Sequence, residues 1–391
     1  MVLMMNSVAA KADQDDFFSP FVTGAYQYDD NFFRLQNDQA ALNHLGTADR
    51  AASYTVLSAG ANLNWQVSRQ RIKAKAEVNR TRFDRYSALD FDGRDTSLQW
   101  DWLIGRALSG DVGAKESVVQ GSFVNIQQPI NNLITLRQAF AHGAIQIGAP
   151  WKLKFGAEKL DSQNSLTSLQ TQDSKVDTYN AGLQYQSSAD SVIEFISEMS
   201  NGRYPNRQII GLSPVDNTYK QWDNGVSASW KPTGKTTLKG RLNYTRRSYT
   251  DVPQRDFSGI TGLISDVWQV TEKTSLGVFV YRNIGVVENT TASYSVNRGV
   301  AVTAVWKATA KITLNLNLAQ DRLLYSGDPG FVLATTPARQ DKLTSLQFGT
   351  NYQVLRNTAL GLSLQRGVNQ SNLALASYRY NSVMLNVRSV F

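Results

Sequence analysis

The sequence predicts an all-β transmembrane fold: an antiparallel up-and-down β-barrel of about eighteen strands, with sixteen as the alternative. Three observations carry this. Apolar and polar residues alternate with period two along nearly the whole chain. Short and long connections alternate between those segments. Tryptophans gather beside the short connections, and the chain ends on a largely apolar strand face closed by Phe391.

The strands come first. Ile72, Ala74, Ala76 and Val78 alternate with Lys73, Lys75, Glu77 and Asn79. Trp151, Leu153, Phe155 and Ala157 alternate with Lys152, Lys154, Gly156 and Glu158, and Leu238, Gly240, Leu242 and Tyr244 with Lys239, Arg241 and Asn243. Ile312 to Leu318 opposes Thr313, Asn315 and Asn317 in the same way. This is a strand period, not a helical one. With their flanks, such segments supply the ~9–11 residues that a tilted strand needs to cross a bilayer.

Alternation alone fits a soluble sandwich as well, so the connections matter. Short ones fall near 68–70, 108–111, 148–150, 188–191, 231–235, 270–273, 307–310 and 354–357. Longer polar ones fall near 30–50, 86–95, 126–132, 161–175, 201–217, 249–256, 284–292, 325–340 and 368–375. Short turns on one membrane face and long loops on the other are the outer-membrane pattern, and an even strand count puts both termini in the periplasm. Sixteen strands remain open if the segments near 111–125 and 133–147 pair differently.

Aromatic placement is an independent test. Trp65, Trp151, Trp230, Trp268, Trp306 and Tyr352 lie within a few residues of short turns. They form one girdle at a bilayer interface, where amphipathic rings are favoured. A second girdle is expected near the long loops from Phe83, Tyr86, Phe123, Tyr204, Tyr249, Tyr281 and Tyr325. In the last strand, Val383, Leu385, Val387, Ser389 and Phe391 share a face, which closes the barrel against the strand that begins near Phe18.

Composition limits the function classes. The 391 residues are 42% hydrophobic, with formal net charge +8, and mean hydropathy is −0.32. No stretch approaches the ~18–20 consecutive apolar residues of a membrane helix. Cysteine is absent, which removes disulfides and thiolate chemistry. The basic charge is scattered without a Lys/Arg run, so nucleic acid is not an expected partner. Residues 1–12, ending in Ala10-Lys11-Ala12, read as a residual signal-peptide-like segment, with the barrel over 13–391 and a mature start near Asp13.

A barrel of this size leaves an aqueous channel. Strand parity points Lys73, Lys75, Lys152, Lys154, Lys239, Arg241 and Arg247 inward, with Glu77, Asp101 and Glu158 as acidic counterparts. A basic, water-filled lumen favours anionic solutes; the plainer reading is ion pairs bracing the wall. Phe279 and Tyr281 are candidates for an inward aromatic track. His44 and His142 are the only histidines. There is no G-x-S-x-G, H-E-x-x-H or nucleotide-binding loop, so neither an enzyme, a metal site nor a cofactor is expected.

The stretch Phe17-Phe18-Ser19-Pro20-Phe21-Val22, followed by Tyr28, Asp29, Asp30, Asn31, Phe32, Phe33, Arg34 and Leu35, resembles the opening strand and first loop of Eps-type outer-membrane barrels. These are encoded with exosortase-associated exopolysaccharide operons in Gram-negative bacteria and belong to a wider group of β-barrel porins. The resemblance covers about twenty residues and brings no established functional residues with it. It implies a role in exopolysaccharide biosynthesis or export, with outer-membrane lipids, lipopolysaccharide, the polysaccharide and periplasmic secretion proteins as partners. A small-solute porin and a non-transport anchor or enzyme remain as alternatives.

Overall fold

The computed structural model describes residues 17–391 except 207–208, 211–212, 215–217, 252, 287–291, 293 and 327–336. The signal-like segment 1–12 and the start near Asp13 lie outside the described residues.

Eighteen strands form one closed antiparallel sheet. They are β1 (Phe18–Asp29), β2 (Ala52–Val67), β3 (Gln70–Phe83), β4 (Phe91–Ile104), β5 (Leu108–Gln120), β6 (Leu133–Gly148), β7 (Trp151–Asn164), β8 (Ser174–Gln186) and β9 (Val192–Arg203), then β10 (Tyr219–Thr233), β11 (Thr236–Tyr249), β12 (Phe257–Thr271), β13 (Thr274–Val286), β14 (Tyr294–Lys307), β15 (Ile312–Ser326), β16 (Gln340–Gln353), β17 (Thr358–Ser371) and β18 (Tyr378–Val390). The count is eighteen rather than sixteen. The two weakest segments are β5 and β6, which pair from Leu108↔Ile145 to Gln120↔Leu133.

The seam joins β1 to β18, from Phe21↔Val390 to Asp29↔Ser382. The Phe391 N–H donates to the Pro20 carbonyl at 2.8 Å. The eighteen-stranded sheet therefore has no free edge to template aggregation or to face lipid unpaired. With strands ~4.8 Å apart and tilted ~40°, eighteen of them enclose a backbone cylinder of about 18 Å radius.

Each strand has an apolar, exposed face. Leu57, Val78, Leu98, Phe195, Tyr244, Ile260, Val280 and Leu385 all belong to it. The opposite face carries most of the mid-strand charged and amide side chains and is the one the first long loop packs against; charged residues on the apolar side stand nearer the long-loop end, as at Arg94, Glu116 and Arg137. The apolar face is therefore the outer one.

The short turns lie at one end of the barrel, and so do the described chain ends, since Phe18 pairs with Leu63 close to the β2–β3 turn. The β4–β5 turn is at 105–107, with Gly105 at φ 61°, where a Cβ would be strained. The turn expected at 108–111 is corrected accordingly. Ser109-Gly110-Asp111 has turn composition, but Gly110 is glycine for another reason. It faces Trp102 across the strands, and a Cβ there would land on the indole.

At the other end, the first long loop is folded. Helix α1 (Asp38–Leu45) is capped by Asn37, whose side chain accepts from the Ala40 N–H, and stops at left-handed Gly46. Both are standard helix punctuation. Ala41 packs with Phe33, Leu35, Tyr54, Phe83, Leu89 and Phe123 in a buried cluster. Phe123 comes from the one-turn helix α2 (Phe123–Ile126) after β5.

Candidate functional site

The candidate site is the inner wall, and its charges are mostly matched. Lys73 pairs with Asp101 at 2.7 Å. Lys75 lies 2.8 Å from Glu77 and 3.0 Å from Asp95. Lys154 pairs with Glu194 at 2.9 Å and Arg241 with Glu198 at 3.2 Å. Arg247 is 7% exposed; it donates to Gln221 at 2.8 Å and lies over the Tyr219 ring. Among the described residues, only Lys152 and Lys239 of the seven basic candidates have neither an ion pair nor a ring partner. The wall is thus braced by cross-strand pairs, and its uncompensated positive charge is smaller than the count of lysines and arginines suggests. The register explains this. Inward positions on the same strand, on adjacent strands or two strands apart lie within side-chain reach, and like charges left there would repel.

The wall divides into two sectors. From β3 to β11 the inward face carries lysine, arginine, aspartate and glutamate. From β12 to β17 it carries mainly amides and hydroxyls: Thr261, Ser265, Asn297, Asn315, Asn317, Gln347, Gln365 and Asn369. The acids in this second sector are engaged. Asp321 accepts from the Tyr281 hydroxyl, and Asp341 is held by Arg339 at 2.6 Å. Arg339, just outside β16, is buried against its own charge, yet the Asp341 hydrogen bond raises its pKa above the ordinary value.

Inward aromatics lie flat on the wall. Phe21, Phe140, Tyr219, Tyr281 and Tyr380 each face a glycine on the neighbouring strand: Gly60, Gly113, Gly202, Gly299 and Gly367. A Cβ at any of these glycines would strike the ring. Four of the rings are also covered from the lumen side by a cation. Arg388 sits 3.8 Å from the Phe21 centroid, Lys115 5.5 Å from Phe140, Arg247 4.4 Å from Tyr219 and Arg34 3.6 Å from Tyr380. Tyr281, in the second sector, has no such cover among the described residues. Phe279, two residues along β13, shares its inward face.

The stretch from Tyr28 to Leu35 forms a latch across the seam. Tyr28 points outward and is exposed. Asp29 is fully buried and takes both Arg34 Nη atoms, at 2.9 and 2.8 Å. Asn31 donates to the carbonyls of Leu35 and Arg379, and its oxygen accepts from the Leu35 N–H. Asp30 accepts from the Asn381 backbone and side chain, both at 2.7 Å. Burial disfavours the Arg34 charge, but Asp29 outweighs it and raises the guanidinium pKa further. Three side chains, Asp30, Asn31 and Arg34, therefore tie the first loop to the last strand, with Asp29 holding Arg34 in place, while Leu35 anchors the aromatic cluster at the mouth.

The aromatic girdle beside the short turns consists of outward, exposed rings: Trp65, Trp151, Trp230, Trp268, Trp306 and Tyr352. Trp306 stands opposite Thr274, and Trp151 packs edge-on to Tyr185 at 5.0 Å. The second girdle is corrected. Phe83, Tyr204 and Tyr249 are buried, and with Phe123 they build the mouth clusters rather than meet lipid; Tyr281 and Tyr325 face inward, where Asp321 and Asp341 accept their hydroxyls. The rings that do point outward toward the long-loop end are Tyr26, Tyr28, Tyr179, Trp222 and Tyr244. Their signal was parity with neighbouring apolar residues. Trp222 and Trp230 share the outer face of β10; eight residues at ~3.3 Å and ~40° tilt separate them by about 20 Å along the barrel axis, close to the ~25 Å apolar band of such barrels.

His142 faces inward, 3.0 Å from Asp111 and stacked at 5.5 Å on Phe140. His44 is in the last turn of α1. Among the described residues, no group of three or more His, Cys, Asp or Glu is placed to hold a metal ion.

Comparison with known proteins agrees with this architecture. Residues 229–391 match the family model described as "Putative beta-barrel porin 2". No curated protein matches the chain. Pseudomonas aeruginosa OpdK with vanillate superposes with a TM-score of 0.53 at 9% identity, over 96% of this chain and 99% of that one. P. aeruginosa OccK2 (OpdF) in complex with glucuronate gives 0.52 at 10%, over 96% and 98%. Acinetobacter baumannii OccAB3 gives 0.50 at 10%, over 96% and 99%. These likenesses establish the fold: a closed antiparallel β-barrel of the kind these outer-membrane proteins share.

Proposed function

We propose that the barrel is a passive outer-membrane channel serving exopolysaccharide secretion, with both termini in the periplasm. The observation that carries this is the inner sector from β12 to β17, where amides and hydroxyls predominate and the two acids are engaged, with Phe279 and Tyr281 set into it. Sugar hydroxyls exchange hydrogen bonds with amides and hydroxyls, and the apolar faces of sugar rings stack on aromatic side chains. A wall of weak, repeated contacts lets a chain slide without a tight stopping point. The paired charges of the opposite sector stiffen the wall, and Lys152 and Lys239 leave it tolerant of acidic sugars. The resemblance of the Tyr28–Leu35 stretch to Eps-type barrels supports the same reading. Export would draw its energy from elsewhere.

Deleting the gene in its host tests this. Loss of surface polysaccharide with intact periplasmic precursors is the expected result. Unchanged polysaccharide with reduced uptake of small solutes would replace the proposal with a nutrient porin. That second reading is favoured by one observation: the first long loop, with its helix, packs onto the inner wall at the mouth and narrows it.

A further inference from the structure

The outer wall carries a groove that passage through the lumen does not use. Across β4 to β7 the apolar face thins to small side chains, leaving a groove of about 550 Å³. One row of outward residues runs Leu98, Ala114, Ala139 and Lys159 across the strands. The next row toward the long loops runs Thr96, Glu116, Arg137 and Asp161. All eight line the groove. Within one inward–outward repeat, about 7 Å along a strand, the wall changes from mainly apolar to mainly charged. Glu116 is shared by Arg94 at 2.6 Å and Arg137 at 2.7 Å, so this triad carries a net positive charge. Asp161 is taken by Lys175 at 3.5 Å. Exposed Lys159 has no carboxylate within ion-pair distance among the described residues, although Asp177 is its cross-strand opposite.

We propose that this groove binds one phosphorylated acyl lipid of the surrounding leaflet. An acyl chain lies over Ala114, Ala139, Ala141 and Ala157, and the phosphate meets Arg94, Arg137 and Lys159. Charge selects this occupant. The rim is cationic, and it stands where the apolar face ends, at headgroup depth. A second copy docked by two-fold symmetry would bring the same cationic rim against itself. A phosphate neutralises the rim with charge-assisted hydrogen bonds to guanidinium.

The test is native mass spectrometry of the folded barrel, titrated with bisphosphorylated lipid A in phosphatidylcholine-containing micelles. Wild type retains one lipid A in preference to phosphatidylcholine. K159Q leaves the Arg94–Glu116–Arg137 triad intact and weakens retention about tenfold, the equivalent of about 1.4 kcal/mol. R94Q/R137Q weakens it further, and A139W blocks the groove without touching a charge. Equal retention of lipid A by wild type, K159Q and A139W overturns the proposal. So does equal preference for phosphatidylcholine, and so does self-association that A139W abolishes while lipid A binding persists.

Discussion

Replacing Arg34 with methionine removes the cation of the seam latch and keeps most of the side chain's volume. Asp29 then loses two hydrogen bonds, at 2.9 and 2.8 Å, while fully buried. It keeps one, from the Asn31 N–H at 2.9 Å. Breaking a buried pair by removing one partner costs about 3–5 kcal/mol, and the retained hydrogen bond places this case near the lower bound. The Tyr380 ring also loses a guanidinium 3.6 Å away, worth about 1 kcal/mol when partly desolvated. The expected destabilisation is about 4 kcal/mol. Urea unfolding in micelles, followed by tryptophan fluorescence and by the gel shift of the folded barrel, measures it. Asp29→Asn removes the orphaned charge, so the double variant R34M/D29N should recover more than half of the loss. A change below about 0.5 kcal/mol for R34M, or strict additivity of the two substitutions, would refute the latch.

Three further outcomes follow from the wall. Lys152→Glu should shift reversal potential toward cations and leave stability within about 0.5 kcal/mol, whereas Lys154→Glu places a carboxylate beside buried Glu194 and should cost about 2 kcal/mol; bilayer recordings and urea titration read the two effects. Val280→Arg, in the middle of the outer apolar band, should destabilise by about 2–4 kcal/mol, while Asn297→Ser on the inner face should be nearly silent in the same titration. Tyr281→Ala removes the uncovered ring and should weaken current block by a neutral oligosaccharide several-fold, with Tyr219→Phe, beneath Arg247, as a control that leaves block unchanged.

Most of the wall is legible in the sequence because a strand encodes its two faces directly. Lys73 and Lys75 are inward by parity alone, and the turn-side tryptophans are outward by the same parity. Phe83 shows where reading by position goes astray. It lies beside a long loop, as a girdle residue would, but counting by twos from Lys75 puts it on the inner face; parity outranks proximity. Gly110 misleads for a related reason, since glycine serves both turns and cross-strand rings. Pairing distances are a different matter. That Lys73 meets Asp101, or that Arg34 reaches Tyr380 in the last strand, depends on register and closure, which no local pattern states. The cationic groove on the outer wall depends on four strands at once and has no signature in any one of them.

Single-channel recording of the purified, gel-shift-verified barrel in a planar bilayer tests the central claim most directly. The account predicts discrete openings with weak ion selectivity, reversibly blocked from either side by neutral oligosaccharides. A correctly folded barrel that shows no conductance at any voltage, or one whose conductance no oligosaccharide alters, would contradict it.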